Sequence, residues 1–304
     1  MRRIHEIILS AILTATVLST VAACADDEDN VILGGGGQKP VTPPSNELLA
    51  RMEVPATLAG NDVIAHWDVI GGDSVLTYCL EYDRRQYHSR WVAFRFDGRT
   101  RSKLVARKDY SIRPQYPADP QLPTGVGIEN DASFNGYQHG HLCASADRLF
   151  SRTANDQTFY MTNMSPMLGD FNSNYWVTLE GLVQKKGRDA TFADTLYVVK
   201  GGTITENYVL RRVASGRIVV PKYYYMALLK VKNGTYSSIA FWMEHKDYGY
   251  TYDHQAPLSE IATHALTVND LEQKTGINFF PNLSRIGQKE ETVESQLIPS
   301  NWGL

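Results

Sequence analysis

The amino-acid sequence predicts one α+β domain built on a mostly antiparallel sheet with flanking helices. Segments rich in β-branched and aromatic residues recur between short polar turns, whereas helical spacing of apolar residues is confined to a few segments. Of the 304 residues, 43% are hydrophobic and 21% are charged. Without its N-terminal region the chain keeps roughly 260 residues, which is enough to bury a substantial core.

Two segments near the start of the predicted domain indicate a β-hairpin. Residues 75–82 (VLTYCLEY) and 90–96 (RWVAFRF) have strand composition, and a polar turn separates them. Residues 113–130 contain several prolines and glycines and predict an irregular loop. A short strand is expected to follow over residues 137–142.

A helix is predicted over residues 170–186. Its apolar residues recur at helical spacing, at Trp176, Leu179, Leu182 and Val183. Asp170 is the expected N-cap. The remaining elements are predicted to be strands over 196–200, 223–231 and 237–243, a short helix over 258–262 and a helix that opens at Val268.

The N-terminal region has the composition of an export signal. Arg2 and Arg3 give a positive start, and a mostly apolar stretch over 7–21 is too short to span a membrane. Small residues then lead to Cys24. This region resembles a bacterial lipoprotein signal, which implies a signal peptide over 1–23, lipidation of Cys24 and a membrane anchor. An ordinary signal peptide with a coincidental cysteine is the alternative.

Residues 24–46 predict a flexible tether, because an acidic run is followed by glycines and prolines. The domain proper is then predicted over 47–304. An acidic run after a lipidated cysteine also resembles the surface-export signal of some Gram-negative lipoproteins. The expected location is therefore the outer membrane, the cell surface or the periplasm. The remaining cysteines, Cys79 and Cys143, either pair as a disulfide or stay as two buried thiols.

The overall charge argues mildly against a protein that binds nucleic acid through bulk charge. The formal net charge is −3 at pH 7, whereas such proteins are usually basic. A local basic cleft or a divalent cation would have to supply positive charge at a phosphate.

The centre of the chemistry is predicted within residues 137–148 (YQHGHLCASADR). His139 and His141 lie two apart on a predicted strand, so their side chains point to the same face. They could be two surface histidines or a zinc-binding pair. A zinc site would need a third ligand, for which Glu244 and His245 are candidates without further support. A catalytic role is the third interpretation.

Two later motifs favour catalysis. Residues 158–166 read TFYMTNMSP, and residues 170–180 read DFNSNYWVTLE. With the histidine segment, this sequence resembles the DNA/RNA non-specific endonuclease family, the Serratia-type nucleases with a ββα-metal (His-Me finger) fold. The core of that family reads D-R-G-H, then S-N-x-x-P, then N-x-x-x-W-x-x-L-E. The resemblance covers roughly residues 75–245.

The resemblance implies metal-dependent hydrolysis of phosphodiester bonds in DNA and RNA. By position, His141 matches the general base, Asn172 the metal ligand and Glu180 a carboxylate beside the water shell of the metal. Asn163 matches a residue that orders the site. Arg107 matches the arginine that stabilises the charged transition state and contacts substrate, and Arg113 is the fallback for that role. A neutral histidine suits proton removal near pH 7. The implied cofactor is Mg²⁺, with Mn²⁺ or another divalent cation as alternatives, because hydrated Mg²⁺ needs few protein ligands.

One departure from the family pattern concerns substrate binding. Gln138 and His139 stand where the family has Asp-Arg. His139 matches a phosphate-contacting arginine but is mostly neutral at pH 7, so weaker substrate binding or a more acidic optimum is expected. The change at Gln138 is expected to loosen local hydrogen bonding. Two other functions stay open: an inactive nuclease-like lipoprotein that binds nucleic acid or another polymer, and a zinc hydrolase that uses His139 and His141.

Overall fold

A computed structural model describes residues 44–304 of the chain. The signal peptide predicted over 1–23, the lipidation site Cys24 and nearly all of the predicted tether lie outside the described residues. Within 44–304, no helix combines the length and the apolar character needed to cross a membrane. The first element is a short helix at Asn46–Leu49, and the hydroxyl of Ser45 caps it by accepting the Leu48 N–H at 3.1 Å.

The sheet is antiparallel throughout, as the sequence predicts. In chain order the strands are β1 (Asp62–Ile70), β2 (Asp73–Asp83), β3 (His88–Phe96), β4 (Gln138–His141), β5 (Met164–Met167), β6 (Thr195–Gly202), β7 (Val209–Val213), β8 (Ile218–Pro221), β9 (Tyr223–Lys232), β10 (Thr235–Glu244) and β11 (Ala265–Leu266). Seven of them form the central sheet in the order β1-β2-β3-β6-β9-β10-β11. The pairs β4-β5 and β7-β8 form two separate ribbons. The predicted hairpin is β2-β3, in which Cys79 lies opposite Ala93.

Strand β1 was not predicted. Its sequence, DVIAHWDVI, places His66 and Asp68 among apolar residues. A register shift between His66 and Trp67 also interrupts the alternation of side chains between the two faces of the sheet. A period of two therefore does not run through the whole strand. The edge strand becomes recognisable only from its pairing with β2.

Within residues 44–304, six α-helices flank the sheet. They are α1 (Asn46–Leu49), α2 (Arg152–Gln157), α3 (Val177–Arg188), α4 (Leu258–Ala262), α5 (Val268–Thr275) and α6 (Glu290–Glu294). A π-helical stretch at Phe171–Trp176 leads without a break into α3. The N-cap predicted at Asp170 is wrong, because its backbone is already helical (φ −67°, ψ −35°) and its side chain caps no N–H. Its carboxylate accepts a hydrogen bond from Asn174 Nδ2 at 3.2 Å instead.

The central strands are buried on both faces, which explains their nearly continuous apolar sequences. On β9, Tyr224, Met226 and Leu228 pack on the α3 side, in one core with Leu179 and Val183. The alternate residues of β9, Tyr225, Ala227 and Leu229, pack on the other side, in a core with Val268 and Leu271 of α5. The helix before and within α3 is therefore seated on one face of a rigid sheet.

The two described cysteines are separate buried thiols, which is the second of the two alternatives for them. Cys79 belongs to the core on the α5 side, whereas Cys143 belongs to the core on the α3 side. Burial raises the pKa of both thiols far above the usual range. Both therefore stay protonated and unreactive near neutral pH.

Candidate active site

A small ββα unit positions the predicted catalytic groups. Strand β4 pairs with β5 so that His141 lies opposite Met164, and the chain becomes helical two residues after β5 ends. The helical segment then runs from 169 to 188, close to the predicted 170–186. His141 therefore ends one strand while Asn172 lies in the first turns of the next helix.

An open cleft of about 500 Å³ brings four of the predicted residues together. His141, Arg107, Asn172 and Glu180 all line it. The imidazole of His141 and the amide of Asn172 thus line the same cleft, and their shared contact with a hydrated cation stays a prediction. Further along its walls lie Tyr110, Ser145, Ser173, Gln184, Tyr252 and Gln255. Asn163, His139 and Arg113 are not among the lining residues.

His141 is a neutral imidazole with a free ring nitrogen. Its ring packs edge-on against Phe159, with 5.0 Å between centroids, and contacts Tyr116. No described residue hydrogen-bonds to its buried Nε2. Burial, followed by the positive charge of Arg107, lowers the pKa of His141 to about 3. The side chain is therefore unprotonated at neutral pH, which is the state that a general base needs before it takes a proton.

Arg107 is held in place by aromatic rings. Its guanidinium lies 3.8 Å from the ring centre of Tyr110 and 4.8 Å from that of Phe159, which also contacts His141. Such cation–π contacts orient the positive group without neutralising it. Arg113 is exposed and donates to the backbone carbonyls of Tyr110 and Ile112. The first choice of arginine is thus the one that reaches the cleft.

The amide of Asn172 is oriented by Gln138. Asn172 Nδ2 donates to Gln138 Oε1 at 2.8 Å, and the hydroxyl of Ser173 donates to the same oxygen at 3.2 Å. Gln138 thus accepts two hydrogen bonds in the site, and the expectation that it holds the site less tightly than the family's aspartate stays a prediction. Because its nitrogen is engaged, Asn172 leaves its Oδ1 available, and no described residue donates to it. A hard amide oxygen of this kind suits Mg²⁺ or Ca²⁺.

Glu180 belongs to a buried charge network that the sequence did not reveal. Lys200 Nζ on β6 donates to Asp147 Oδ2 at 2.8 Å and to Glu180 Oε1 at 3.2 Å. Lys200 and Asp147 have fully buried side chains. Burial raises the pKa of Glu180 to about 7, against the lowering effect of Lys200. A lysine inside the apolar run LYVVKGG was the available signal, since a buried lysine needs a carboxylate partner.

Asn163 supports the site from behind. Its Oδ1 accepts the N–H of Cys143 at 2.8 Å, and its Nδ2 donates to the carbonyls of Cys143 and Thr158 at 2.9 and 2.6 Å. The residue is fully buried. It therefore fixes the backbone two residues after His141 and has no contact with the cleft. It acts in this arrangement as a positioning residue and not as a catalytic one.

His139 is enclosed by aromatic rings. Its ring stacks between Tyr116 at 4.2 Å and Phe134 at 4.4 Å, and its Nε2 donates to the carbonyl of Ala132 at 2.9 Å. Burial lowers its pKa. His139 and His141 do share a face, since both contact Tyr116. Here His139 supports the wall beside His141, and its role in substrate binding stays a prediction.

A zinc site has no support. Among residues 44–304, no group of three His, Cys, Asp or Glu side chains is arranged to hold a metal ion. His245 uses both ring nitrogens, because Nε2 accepts the Leu168 N–H at 2.7 Å and Nδ1 donates to the Pro221 carbonyl at 2.9 Å. Glu244 forms an ion pair with Lys246. Neither candidate is therefore a third ligand for the histidine pair.

The chain is similar to several known nucleases. A family model described as DNA/RNA non-specific endonuclease matches residues 67–286. Nuclease C1 of Cunninghamella echinulata var. echinulata is 27% identical over 215 residues, which cover 68% of this chain and 81% of that protein. A nuclease of Nostoc sp. is 26% identical over 213 residues, covering 68% and 72%. The mitochondrial nuclease EXOG of Mus musculus is 27% identical over 226 residues, which cover 68% of this chain and 56% of that protein.

A solved structure has the same fold. A chain from the crystal structure of the EndoG/EndoGI complex aligns with a TM-score of 0.56 at 21% identity, covering 74% of this chain and 89% of that one. The ββα arrangement around His141 and the mostly antiparallel sheet are thus those of a ββα-metal nuclease fold.

Proposed function

The chain belongs to the DNA/RNA non-specific endonuclease family, and from this premise we propose that it hydrolyses phosphodiester bonds in both DNA and RNA without strong sequence preference. The observation that carries the proposal is the single cleft lined by His141, Arg107 and Asn172. These groups suit a phosphate and its attacking water. Contacts of that kind do not read base edges, so they do not select sequence.

The side chains divide the chemistry between them. His141 takes the proton from the attacking water, because it is neutral and its Nε2 has no protein partner. Arg107 places positive charge where negative charge grows on the phosphoryl oxygens. Water entering the cleft also hydrates the imidazole, which relieves the burial that holds its pKa low.

The oxygen donors of the cleft fit a hydrated divalent cation, for which we propose Mg²⁺, with Mn²⁺ as an alternative. Asn172 would hold the ion through Oδ1, and Glu180 would contact its water shell. When bound, the ion supplies positive charge next to the phosphate and the leaving oxygen. Gln138 keeps the Asn172 amide oriented, and Lys200 balances the charges of Glu180 and Asp147.

Cleavage assays with site variants test this function. Plasmid DNA and RNA are incubated with the wild type in Mg²⁺, Mn²⁺ or EDTA, and with His141→Ala and Asn172→Ala in Mg²⁺. Wild type should cleave both polymers only with metal, and His141→Ala should lose about 10²- to 10⁴-fold in rate because general-base catalysis is gone. Asn172→Ala should need a higher metal concentration.

A half-buried histidine outside the cleft provides the matched control. His264 packs against Tyr175 and Tyr248, and His264→Ala should cleave like wild type. Wild type without metal-dependent cleavage, or a fully active His141→Ala, would contradict the proposal.

A second candidate is a nuclease-like lipoprotein that binds nucleic acid or another polymer without cutting it. The replacement of the family's Asp-Arg by Gln138-His139 favours this second candidate. The net charge of −3 does not distinguish it from catalysis. Gel-shift measurements on the same preparations separate the two functions. Binding of wild type to DNA or RNA without cleavage in any metal would establish the second candidate.

We further propose that the protein is exported and anchored by a lipid on Cys24, facing the periplasm or the cell surface. The support is the signal-like segment 1–23 and the acidic, glycine- and proline-rich residues 24–46. In a bacterial host, wild type should partition into the membrane fraction, whereas Cys24→Ser should not acquire labelled fatty acid. Wild type recovered unlabelled in the soluble fraction would refute the anchor.

A further inference from the structure

The cleft offers little positive charge to a nucleic-acid backbone. Of the described residues that line it, Arg107 is the only lysine or arginine, and Glu180 adds a carboxylate. The whole chain carries a net charge of −3. Neutralisation of phosphates by basic side chains normally supplies much of the affinity for nucleic acid. Beyond Arg107 and the proposed metal ion, affinity for a polymer in this cleft therefore needs a further source.

Two tyrosines provide exposed aromatic surface in the same cleft. Tyr110 is 64% exposed and Tyr252 is 74% exposed, and both line the walls near His141. They are the most exposed aromatic side chains between residues 44 and 304. Because both rings line the cleft that holds the proposed catalytic groups, they suit a ligand with flat apolar faces.

Tyr252 is carried on a tight turn that is fastened to the metal-ligand helix. Two backbone hydrogen bonds between Thr251 and His254, at 3.2 and 3.0 Å, close the turn. Asn174 binds the chain before and after this turn. The Nδ2 of Asn174 donates to the Tyr250 carbonyl at 2.9 Å, and the backbone carbonyl of Asn174 accepts the Ala256 N–H at 3.3 Å. Because Asn174 is two residues from Asn172, the backbone of the turn that carries Tyr252 is held close to the proposed metal ligand.

Tyr110 is held beside the cleft arginine. The guanidinium of Arg107 covers one face of its ring at 3.8 Å. The side chain of Asp109 stabilises the turn by accepting the Ser111 N–H at 2.7 Å, and its carbonyl accepts the Ile112 N–H at 3.3 Å. With one face covered and 64% of the side chain exposed, the opposite face of the ring is open.

We propose that Tyr110 and Tyr252 are stacking platforms for nucleobases next to the scissile phosphate, so that this nuclease prefers single-stranded DNA or RNA to duplex. The proposal rests on the proposed nuclease function and adds the class of substrate. Every base has an aromatic face, so stacking gives affinity without sequence selection. In a duplex those faces are already covered by neighbouring bases, and exposing one costs free energy.

Three substrates of equal length test the proposal. They are a single-stranded oligonucleotide, the same sequence as a duplex, and a single strand with abasic sites throughout its central region. Wild type should show a KM about tenfold lower for the intact single strand than for the duplex or the abasic strand. Monovalent salt should raise KM only weakly, with a logarithmic slope near 0.7, as expected for one phosphate contact.

Variants then assign the effect to the rings. Tyr252→Ala should raise KM for the intact strand about tenfold, leave kcat unchanged and lose discrimination against the abasic strand. Tyr252→Trp should keep both properties, because it restores an aromatic face. Tyr110→Ala should raise KM as well, although it also releases Arg107. Trp67 is exposed on β1 outside the cleft, and Trp67→Ala should keep the KM of wild type.

The outcomes separate this proposal from the function on which it rests. Wild type that cleaves none of the three substrates would overturn the nuclease function, and the stacking platforms with it. Wild type that cleaves the intact and abasic strands with equal KM, or that prefers duplex, would overturn the stacking platforms alone. A Tyr252→Ala variant with unchanged KM and unchanged discrimination would do the same.

Discussion

Gly140 lets strand β4, which carries the proposed base His141, lie close to the side chain of Met167. A Cβ on this residue would lie 2.3 Å from Sδ and 2.9 Å from Cβ of Met167. Met167 is fully buried in the core on the α3 side, so it has little freedom to move. Glycine is therefore required for the close approach of β4 to Met167, one residue before His141.

Replacing Gly140 by alanine should cost both stability and activity. Overpacking against Met167 is expected to lower the free energy of unfolding by about 1–3 kcal/mol. Displacement of His141 should reduce kcat more than it changes KM, because the base and not the binding surface is moved. Urea unfolding and steady-state kinetics on an oligonucleotide measure the two effects.

The matched control is Gly98, since a Cβ there meets no atom within 4 Å. Gly98→Ala should behave like wild type in both measurements. If Gly140→Ala also matched wild type, the steric account of this glycine would be wrong.

At the level of secondary-structure elements, His245 joins the end of β10 to the start of the helix that carries Asn172. Its Nε2 accepts the Leu168 N–H, one of the amides at a helix start that has no partner within the helix. Its Nδ1 donates to the carbonyl of Pro221, the last residue of β8. The ring can accept the Leu168 hydrogen bond only while it is neutral, and burial lowers its pKa to about 4.

This neutral histidine should make stability depend on pH. The folded-state pKa of His245 is about 4, whereas an unfolded histidine has a pKa of about 6.5. Between these values the unfolded chain binds more protons, so the free energy of unfolding falls as pH decreases. The contribution is fully present above pH 6.5 and its slope is about 1.4 kcal/mol per pH unit. His245→Gln should flatten the pH profile by that amount in urea unfolding between pH 7 and pH 5.

The exposed His254 serves as the control for this measurement. His254→Gln should keep the wild-type slope. A His245→Gln variant whose slope equals that of wild type would show that this side chain titrates alike in both states.

In the π-helical stretch before α3, the spacing of buried apolar residues no longer follows the α-helical period. The apolar stripe from Trp176 onwards has regular α-helical spacing and predicts α3 well. Upstream, Phe171, Tyr175 and Trp176 are all buried, with intervals of four and one residues. Widening the helix lets these large rings share one core face. Such stretches are often found at functional sites, and this one contains Asn172.

For the molecule as a whole, the sequence predicts those strands and helices whose apolar residues form a regular local pattern. The strands of the hairpin, β6, β9 and β10 were predicted because burial on both faces makes them continuous apolar runs. Fold class, family and the residues that meet in the cleft followed from ordered motifs. In contrast, β7 and β8 form a separate ribbon with exposed Arg211 and Leu210, and their sequence carries no clear alternation.

What could not be predicted depends on partners that are distant in sequence. Lys200 meets Asp147 across 53 positions, and Asn174 fastens Tyr250 across 76. Each contact exists only after the sheet and the ββα unit have packed together. The role of Gln138 was missed for a related reason, because its partner Asn172 comes from the following helix and not from its own strand.

The ββα unit keeps the proposed base and metal ligand within one uninterrupted stretch of chain, between Gln138 and Arg188. Tyr110 and Tyr252 come from loops on either side of that stretch. Insertions, deletions or exchanges in the loop of Tyr252 can thus alter which polymer enters without changing His141 or Asn172, whereas changes in the loop of Tyr110 also affect Arg107. Substrate choice at the Tyr252 loop is therefore separable from the hydrolytic step in the ββα unit.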